Sequence, residues 1–222
     1  MKRQEAKELN RDRIIRAAGL IIQSEGVEKL TMRRLAQDAD VALKTPYNLF
    51  ESKTGLLISL LNKAMESLID DLSPEEQETA LAGLFDSLDE IQSFFSEDED
   101  YYRAIFWAIM TADRSEATLI GHKQVIQLIT ARMMRAKEAR EIDGNINATS
   151  LGNQLGLQLL AMLGIWAAGH ITIIETMNQT KANWASVLIN AAAENSKIYI
   201  TECLSAAQVS LGTKDHISEQ YD

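Results

Sequence analysis

Only two prolines occur in 222 residues, Pro46 and Pro74, and no alternating run of β-branched residues is present, which leaves little basis for a sheet. The expected fold class is all-α. A single cysteine, Cys203, excludes an internal disulfide, and without a His or Cys at ligand spacing it offers no metal site. No metal and no cofactor is expected, and a reducing cytoplasm suits the lone thiol. The three histidines, His122, His170 and His216, form no Glu-x-x-His pair and stand beside no nucleophile motif, so an enzyme is not expected. Long apolar runs are missing too. The longest, around Leu159 to Gly169, is flanked by Gln158 and His170 and falls short of the roughly 20 residues that cross a bilayer. The opening MKRQEAKELNRDR lacks the apolar core of a signal peptide. A soluble cytoplasmic protein with no membrane partner is the expectation.

What the chain does have is 46% hydrophobic residues, ample for a buried core, and a net charge of −10. That sign opposes binding to nucleic acid, where phosphate contacts rely on Lys and Arg. The average conceals a division. Residues 1–60 carry eleven basic and eight acidic side chains, whereas the remainder carries eleven basic and twenty-four acidic ones. Only the N-terminal segment suits a polyanion.

Within that segment Ile14, Ile15, Ala18, Ile21 and Ile22 recur at helical spacing from Arg11 onward, predicting an amphipathic helix that ends near Gly26. Thr31 is placed to cap a second helix over Met32 to Asp38, with Leu30 before the cap opposite Leu35. The pattern breaks at Ala39-Asp40-Val41-Ala42. Leu43 to Phe50 is then too short to be a helix on its own, so Val41, Tyr47 and Phe50 are expected to pin it, leaving Leu43, Lys44, Thr45 and Asn48 outward. Two short helices behind a longer one make a helix-turn-helix. Ser52 caps a fourth helix whose first residue, Lys53, opposes the positive end of the helix dipole; with no packing role evident, an incoming phosphate would account for it.

The run Leu30-Thr31-Met32-Arg33-Arg34-Leu35-Ala36, then Val41, then Thr45-Pro46-Tyr47-Asn48-Leu49-Phe50-Glu51-Ser52-Lys53 with Leu56-Leu57, resembles the N-terminal domain of the TetR family of bacterial regulators. Ala17-Ala18 and Gly26 fit as well. Three positions depart from the family pattern: Asp40 stands for the usual turn glycine, Ala42 for a polar helix cap, and Pro46 for leucine. The resemblance implies a third helix in the major groove of double-stranded DNA. Arg33 would then meet a guanine edge, Lys44 and Asn48 a base or a phosphate, Thr45 and Tyr47 a phosphate or thymine methyl, and Thr31 and Lys53 the backbone, with Leu43 on the same face.

Further along, helix four continues through Leu60, Leu61, Ala64, Met65, Leu68 and Ile69. Ser73-Pro74-Glu75-Glu76 reads as the start of a helix bearing Leu81, Leu84, Phe85, Leu88, Ile91 and Phe95. The acidic run Glu97 to Asp100 reads as a solvated linker. A further long helix is expected from about Ser115 to Arg140, and a last one from about Lys181 to Leu204. Between these, Gly152, Gly156, Gly164 and Ala168 set small residues four apart, allowing close approach of another helix.

Aromatic and Met residues at helical spacing are ordinarily core. The resemblance instead implies a small-molecule effector pocket in the body, for which Phe106, Trp107, Met110, Met134 and Leu160 are the candidates, and a homodimer formed by the last two long helices, for which Gly152, Gly156, Gly164, Trp184, Leu188 and Ala191 are the candidates. The implied organisation is a helix-turn-helix domain over 1–52, a connecting helix over 53–72, an effector-binding and dimerisation domain over 73–207, and a flexible tail over 208–222. The implied function is a regulator, most commonly a repressor, released from a near-palindromic operator by its effector. The competing possibility is a helical carrier or partner-binding protein without DNA binding.

Overall fold

The computed structural model describes residues 2–71, 79–112 and 116–212. Among the described residues every regular element is helical, apart from one isolated β-bridge. Two compact units are present, one comprising Met1–Ser67 and Asp98–Gly121, the other Leu68–Glu97 and His122–Asp222.

In the first unit, α1 spans Lys2–Glu25, starting well before Arg11 because Lys, Gln, Glu and Ala are all good helix formers. Its early turns are exposed and tied along one side by Gln4 Nε2 donating to Glu8 Oε1 at 3.1 Å. Ile14, Ala18, Ile21 and Ile22 turn inward. Gly26, at φ 87°, ends the helix and leads into a single 3-10 turn, Val27–Lys29.

Helix α2, Met32–Asp38, begins as expected: Thr31 Oγ1 accepts from Arg34 N at 3.2 Å, and Leu30 and Leu35 are both buried. It closes with Val41 N donating to Ala36 O and Asp40 N to Gln37 O, a Schellman motif whose left-handed position is Asp40 at φ 51°. Helix α3 is Lys44–Phe50 and enters without a side-chain cap, in keeping with Ala42 in the turn. Pro46 lies in its first turn, where the missing N–H has no intrahelical partner to lose, and the residue is buried. After Glu51, Ser52 Oγ caps α4, Lys53–Asp71, by accepting from Gly55 N at 3.0 Å. Leu56, Leu57, Leu60 and Leu61 face the core.

The same unit contains α6, Glu99–Met110, which packs against the 3-10 turn. Its start corrects the linker reading of Glu97 to Asp100. Asp98 is the N-cap, accepting from Tyr101 N at 3.3 Å, and Glu99 and Asp100 occupy the first turn, where carboxylates favour the helix dipole. Arg103 then ties both of them. Desolvation of the Tyr101 phenol pushes its pKa up to about 12.

In the second unit, α5 is Ala80–Ser96 with Thr79 as cap; the start expected at Ser73 to Glu76 lies outside the described residues. A second, distant group completes this cap. The buried Glu141 carboxylate accepts from Ala80 N at 2.9 Å and Leu81 N at 2.8 Å. Helix α7 is Glu116–Glu138, and α8, Ala148–Ala167, starts at the cap Asn147.

The single last helix expected over Lys181 to Leu204 is two helices, α9 (Ile173–Leu188) and α10 (Glu194–Gly212). Helix α9 begins ahead of the expected Lys181, where Thr172 and Glu175 form a capping box. Its end carries no Gly or Pro. Backbone pairing ends it instead: Asp143 N donates to Ala191 O and Ala193 N to Glu141 O, beside the Ile142–Ala192 bridge. Helix α9 is central to this unit, packing on α5, α8 and α10 and burying Ile173, Met177, Trp184, Ala185 and Leu188. Helix α10 extends to Gly212, past the expected start of the tail, and residues 213–222 lie outside the described residues.

Candidate nucleic-acid interface

Seven residues make only two helical turns, so α3 owes its position to contacts with α1 and α2. Its inward side is Pro46 and Phe50, both buried, with Leu49 half-buried. Its outward side pairs Leu43 with Tyr47 and Lys44 with Asn48, each four residues apart. Tyr47 is 51% exposed, so the ring expected to pin the helix faces solvent and Pro46 replaces it in the interior. Thr45 is half-buried at the rim. No residue from Lys44 to Phe50 carries a negative charge.

The adjacent arginines of α2 have different fates. Arg34 Nη1 donates to Glu25 Oε2 at 2.8 Å, its other terminal nitrogen meets the second carboxylate oxygen, and Nε reaches Asp38 at 3.3 Å. The Arg34 hydrogen bond lowers the pKa of Glu25 and is in turn the main cause of a raised value for Arg34. Arg33 is exposed and, among the described residues, forms no ion pair, leaving its planar fork open to an external acceptor. Lys44 is likewise exposed, with no ion pair among the described residues. Thr31 is exposed, its oxygen accepting from the helix while its hydroxyl proton stays available.

Lys53 differs from expectation. Its ammonium is partly buried and donates to Val27 O at 2.8 Å, so a structural partner exists for the cation at the start of α4. A phosphate is not required to explain why lysine stands there, although two of its three donors remain.

The nominated effector residues divide between the two units. Phe106, half-buried, and Trp107 and Met110, exposed, belong to α6 in the first unit. Met134, exposed on α7, and Leu160, half-buried on α8, belong to the second. Sequence reasoning passed over Arg132, which is buried on α7 with its pKa lowered by desolvation, and Gln158, whose buried Oε1 has no hydrogen-bond partner among the described residues.

The dimer candidates are corrected by their burial. Trp184, Leu188 and Ala191 lie inside the protomer, and Trp184 Nε1 donates to Leu155 O at 3.1 Å. Gly152 and Gly156 face α7 of their own chain: a Cβ at Gly152 would stand 2.4 Å from Thr130 Cα, and one at Gly156 3.1 Å from Ile126 Cα. The small residues do admit a close helix, but the helix is intramolecular. Gly164 is half-buried. The apolar groups that α8 and α10 leave on the surface are Leu157, Ile165, Ile198 and Val209.

No family model matches the chain. It is 38% identical over 79 residues to the HTH-type transcriptional repressor KstR of Mycolicibacterium smegmatis, a match covering 36% of this chain and 37% of that protein. Similarity to KstR of Rhodococcus jostii is 29% over 137 residues, covering 61% of this chain and 65% of that protein. The chain thus matches less than two thirds of the length of either relative. Among solved structures, TylP, a TetR regulator from Streptomyces fradiae, superposes with a TM-score of 0.60 at 16% identity, over 99% of this chain and 95% of that one. Thermus thermophilus FadR, a TetR-family repressor in complex with lauroyl-CoA, gives 0.61 at 18% identity, over 77% and 90%.

Proposed function

We propose that this chain, which has the fold of the TetR-family regulators, is a cytoplasmic DNA-binding repressor that acts as a homodimer and is released from a near-palindromic operator by a small-molecule effector. The observation that carries this reading is the outward face of α3. Lys44, Tyr47 and Asn48 are turned to solvent on a helix without carboxylates, beside an exposed Arg33 whose guanidinium has no ion-pair partner among the described residues. Proteins with comparable folds and named as repressors support it.

The proposed chemistry follows from donor geometry. Arg33 places two parallel N–H groups against guanine O6 and N7, whereas Asn48 offers both a donor and an acceptor to an adenine edge. Lys44 and the remaining donors of Lys53 neutralise phosphates, and the Tyr47 hydroxyl hydrogen-bonds to one. In a dimer the two α3 helices sit about 34 Å apart, in successive major grooves. The self-association surface includes the exposed apolar side chains Leu157, Ile165 and Ile198. An effector that binds one spacing of the two helices better than the other shifts the protein off DNA by that difference alone.

Selection of a binding site from random DNA, followed by fluorescence anisotropy at two salt concentrations, tests the proposal. A regulator yields one near-palindromic sequence bound specifically and more weakly at higher salt. A chain that selects no sequence and binds no duplex at low salt is a carrier or partner-binding protein instead.

A further inference from the structure

We infer that Arg11, a residue of α1 outside the outward face of α3, is the positioning residue of the recognition helix. This rests on the DNA-binding reading for its functional consequence, but the geometry is independent of it. Arg11 Nη2 donates to Ser59 Oγ on α4 at 2.9 Å, Nη1 to Leu49 O at 3.4 Å, and its guanidinium carbon lies 4.8 Å from the centre of the Phe50 ring. One planar cation therefore touches the backbone and the buried aromatic at the C-terminal end of α3 and simultaneously the helix that follows it.

The carbonyl groups at that end show why such a tie matters. A two-turn helix exposes its last four carbonyls. Tyr47 O accepts from Glu51 N at 2.9 Å, Phe50 O accepts from Ser52 N at 2.6 Å across a γ-turn in which Glu51 has φ 64°, and Leu49 O accepts from Arg11. The γ-turn with positive φ is a strained connection, which persists only where the surroundings over-determine it. At the opposite end α3 has no side-chain cap. Among the described residues, Arg11 is the one side chain from outside α3 that hydrogen-bonds to it. A cation beside C-terminal carbonyls also complements the helix dipole, and its placement over Phe50 adds a cation–π contact. Lysine cannot substitute for this, since a single ammonium does not span Leu49 O, Ser59 Oγ and the ring face at once.

Two of the guanidinium donors and its ring-facing side are engaged within the chain, so its loss is expected to act on the orientation of α3 rather than on the count of phosphate contacts. Full-length Arg11→Met, Arg11→Lys and Ser59→Ala proteins are compared with the wild type by amide hydrogen exchange without DNA, and by anisotropy on the selected operator and on a scrambled duplex. In Arg11→Met, exchange is expected to accelerate over 44–50 while 32–38 keeps its protection, and the ratio of specific to non-specific affinity to fall by about tenfold with an unaltered salt slope. Arg11→Lys and Ser59→Ala fall between. If Arg11→Met does not fold, Ser59→Ala alone decides, by the same two readouts. Unchanged exchange over 44–50 overturns the inference. So does equal loss on both duplexes with a shallower salt slope, which makes Arg11 a phosphate contact. A wild type that binds no duplex refutes the DNA-binding reading, and the exchange measurement still judges Arg11.

Discussion

The ammonium of Lys53 donates to the carbonyl of Val27, 26 residues earlier, joining the first turn of α4 to the turn that precedes α2. A cation at a helix N-terminus opposes the dipole, and here a carbonyl oxygen compensates it. Lys53→Met is therefore expected to lower the stability of the protein by about 1–2 kcal/mol, since a hydrogen bond to a charged group is lost from a partly buried site. Its effect on DNA is a separate quantity. Where the remaining donors meet a phosphate, binding weakens on all sequences alike and the salt slope falls by about 1. Urea unfolding and anisotropy at several salt concentrations measure the two. An unchanged urea midpoint contradicts the structural role, and an unchanged slope contradicts the phosphate role.

Arg33 and Arg34 are neighbours in sequence with opposite expected phenotypes. Arg33→Ala is expected to cost about 1–3 kcal/mol of operator binding and to relax preference at one base pair, with thermal stability unaltered. Arg34→Ala breaks solvent-screened ion pairs to Glu25 and Asp38, so little change in stability is expected, and it leaves base preference intact. Binding to a set of operators with single base changes distinguishes them.

Gly55 sits where a Cβ would be 2.3 Å from Phe50 O. An alanine in a helix normally gains about 1 kcal/mol over glycine. At this position the backbone oxygen cannot yield without displacing the end of α3, so Gly55→Ala is expected to destabilise by about 1–3 kcal/mol, as overpacking does. Chemical denaturation with an unshifted or higher midpoint would show that α3 and α4 can separate freely.

Surface and interior positions of the second unit separate self-association from folding. Leu157→Lys or Ile198→Lys is expected to give a folded monomer, because both side chains are exposed in the protomer, Ile198 at 72%. Leu188→Lys is expected to prevent folding, because that side chain has no exposure at all. Sedimentation and circular dichroism read the two outcomes. A dimer that survives both surface changes places the contact elsewhere.

Acid weakens the first unit in a defined direction. The Lys63 ammonium holds the Asp12 carboxyl below its ordinary 3.8, and the Arg34 guanidinium holds Glu25 below its ordinary 4.5. Depressed values in the folded state mean that the contribution is present above the ordinary values and is lost as pH falls through the folded ones. Wild type is therefore expected to melt above Glu25→Gln at pH 7, with the gap closing below about pH 4.5. A gap independent of pH would show that the Glu25 charge does not contribute.

Local chemistry made much of the first unit legible. Apolar spacing placed α1 and α2, Thr31 and Ser52 announced helix starts through a hydroxyl three residues ahead of an orphan N–H, and the outward positions of Leu43, Lys44 and Asn48 followed from helical periodicity. What escaped depended on partners distant in the chain. Nothing near Lys53 reveals Val27 O, nothing near Arg11 reveals Leu49 and Ser59, and the break between α9 and α10 is enforced by Glu141 and Asp143 of another connection.

The sequence alone therefore determined the helices with local caps and stripes, because those signals act within one or two turns. Tertiary structure decided which apolar and small residues are spent inside the protomer, as Gly152, Gly156, Trp184 and Leu188 are, and which stay on its surface. The physical reason is that a helix stripe specifies burial but not the identity of the surface that buries it.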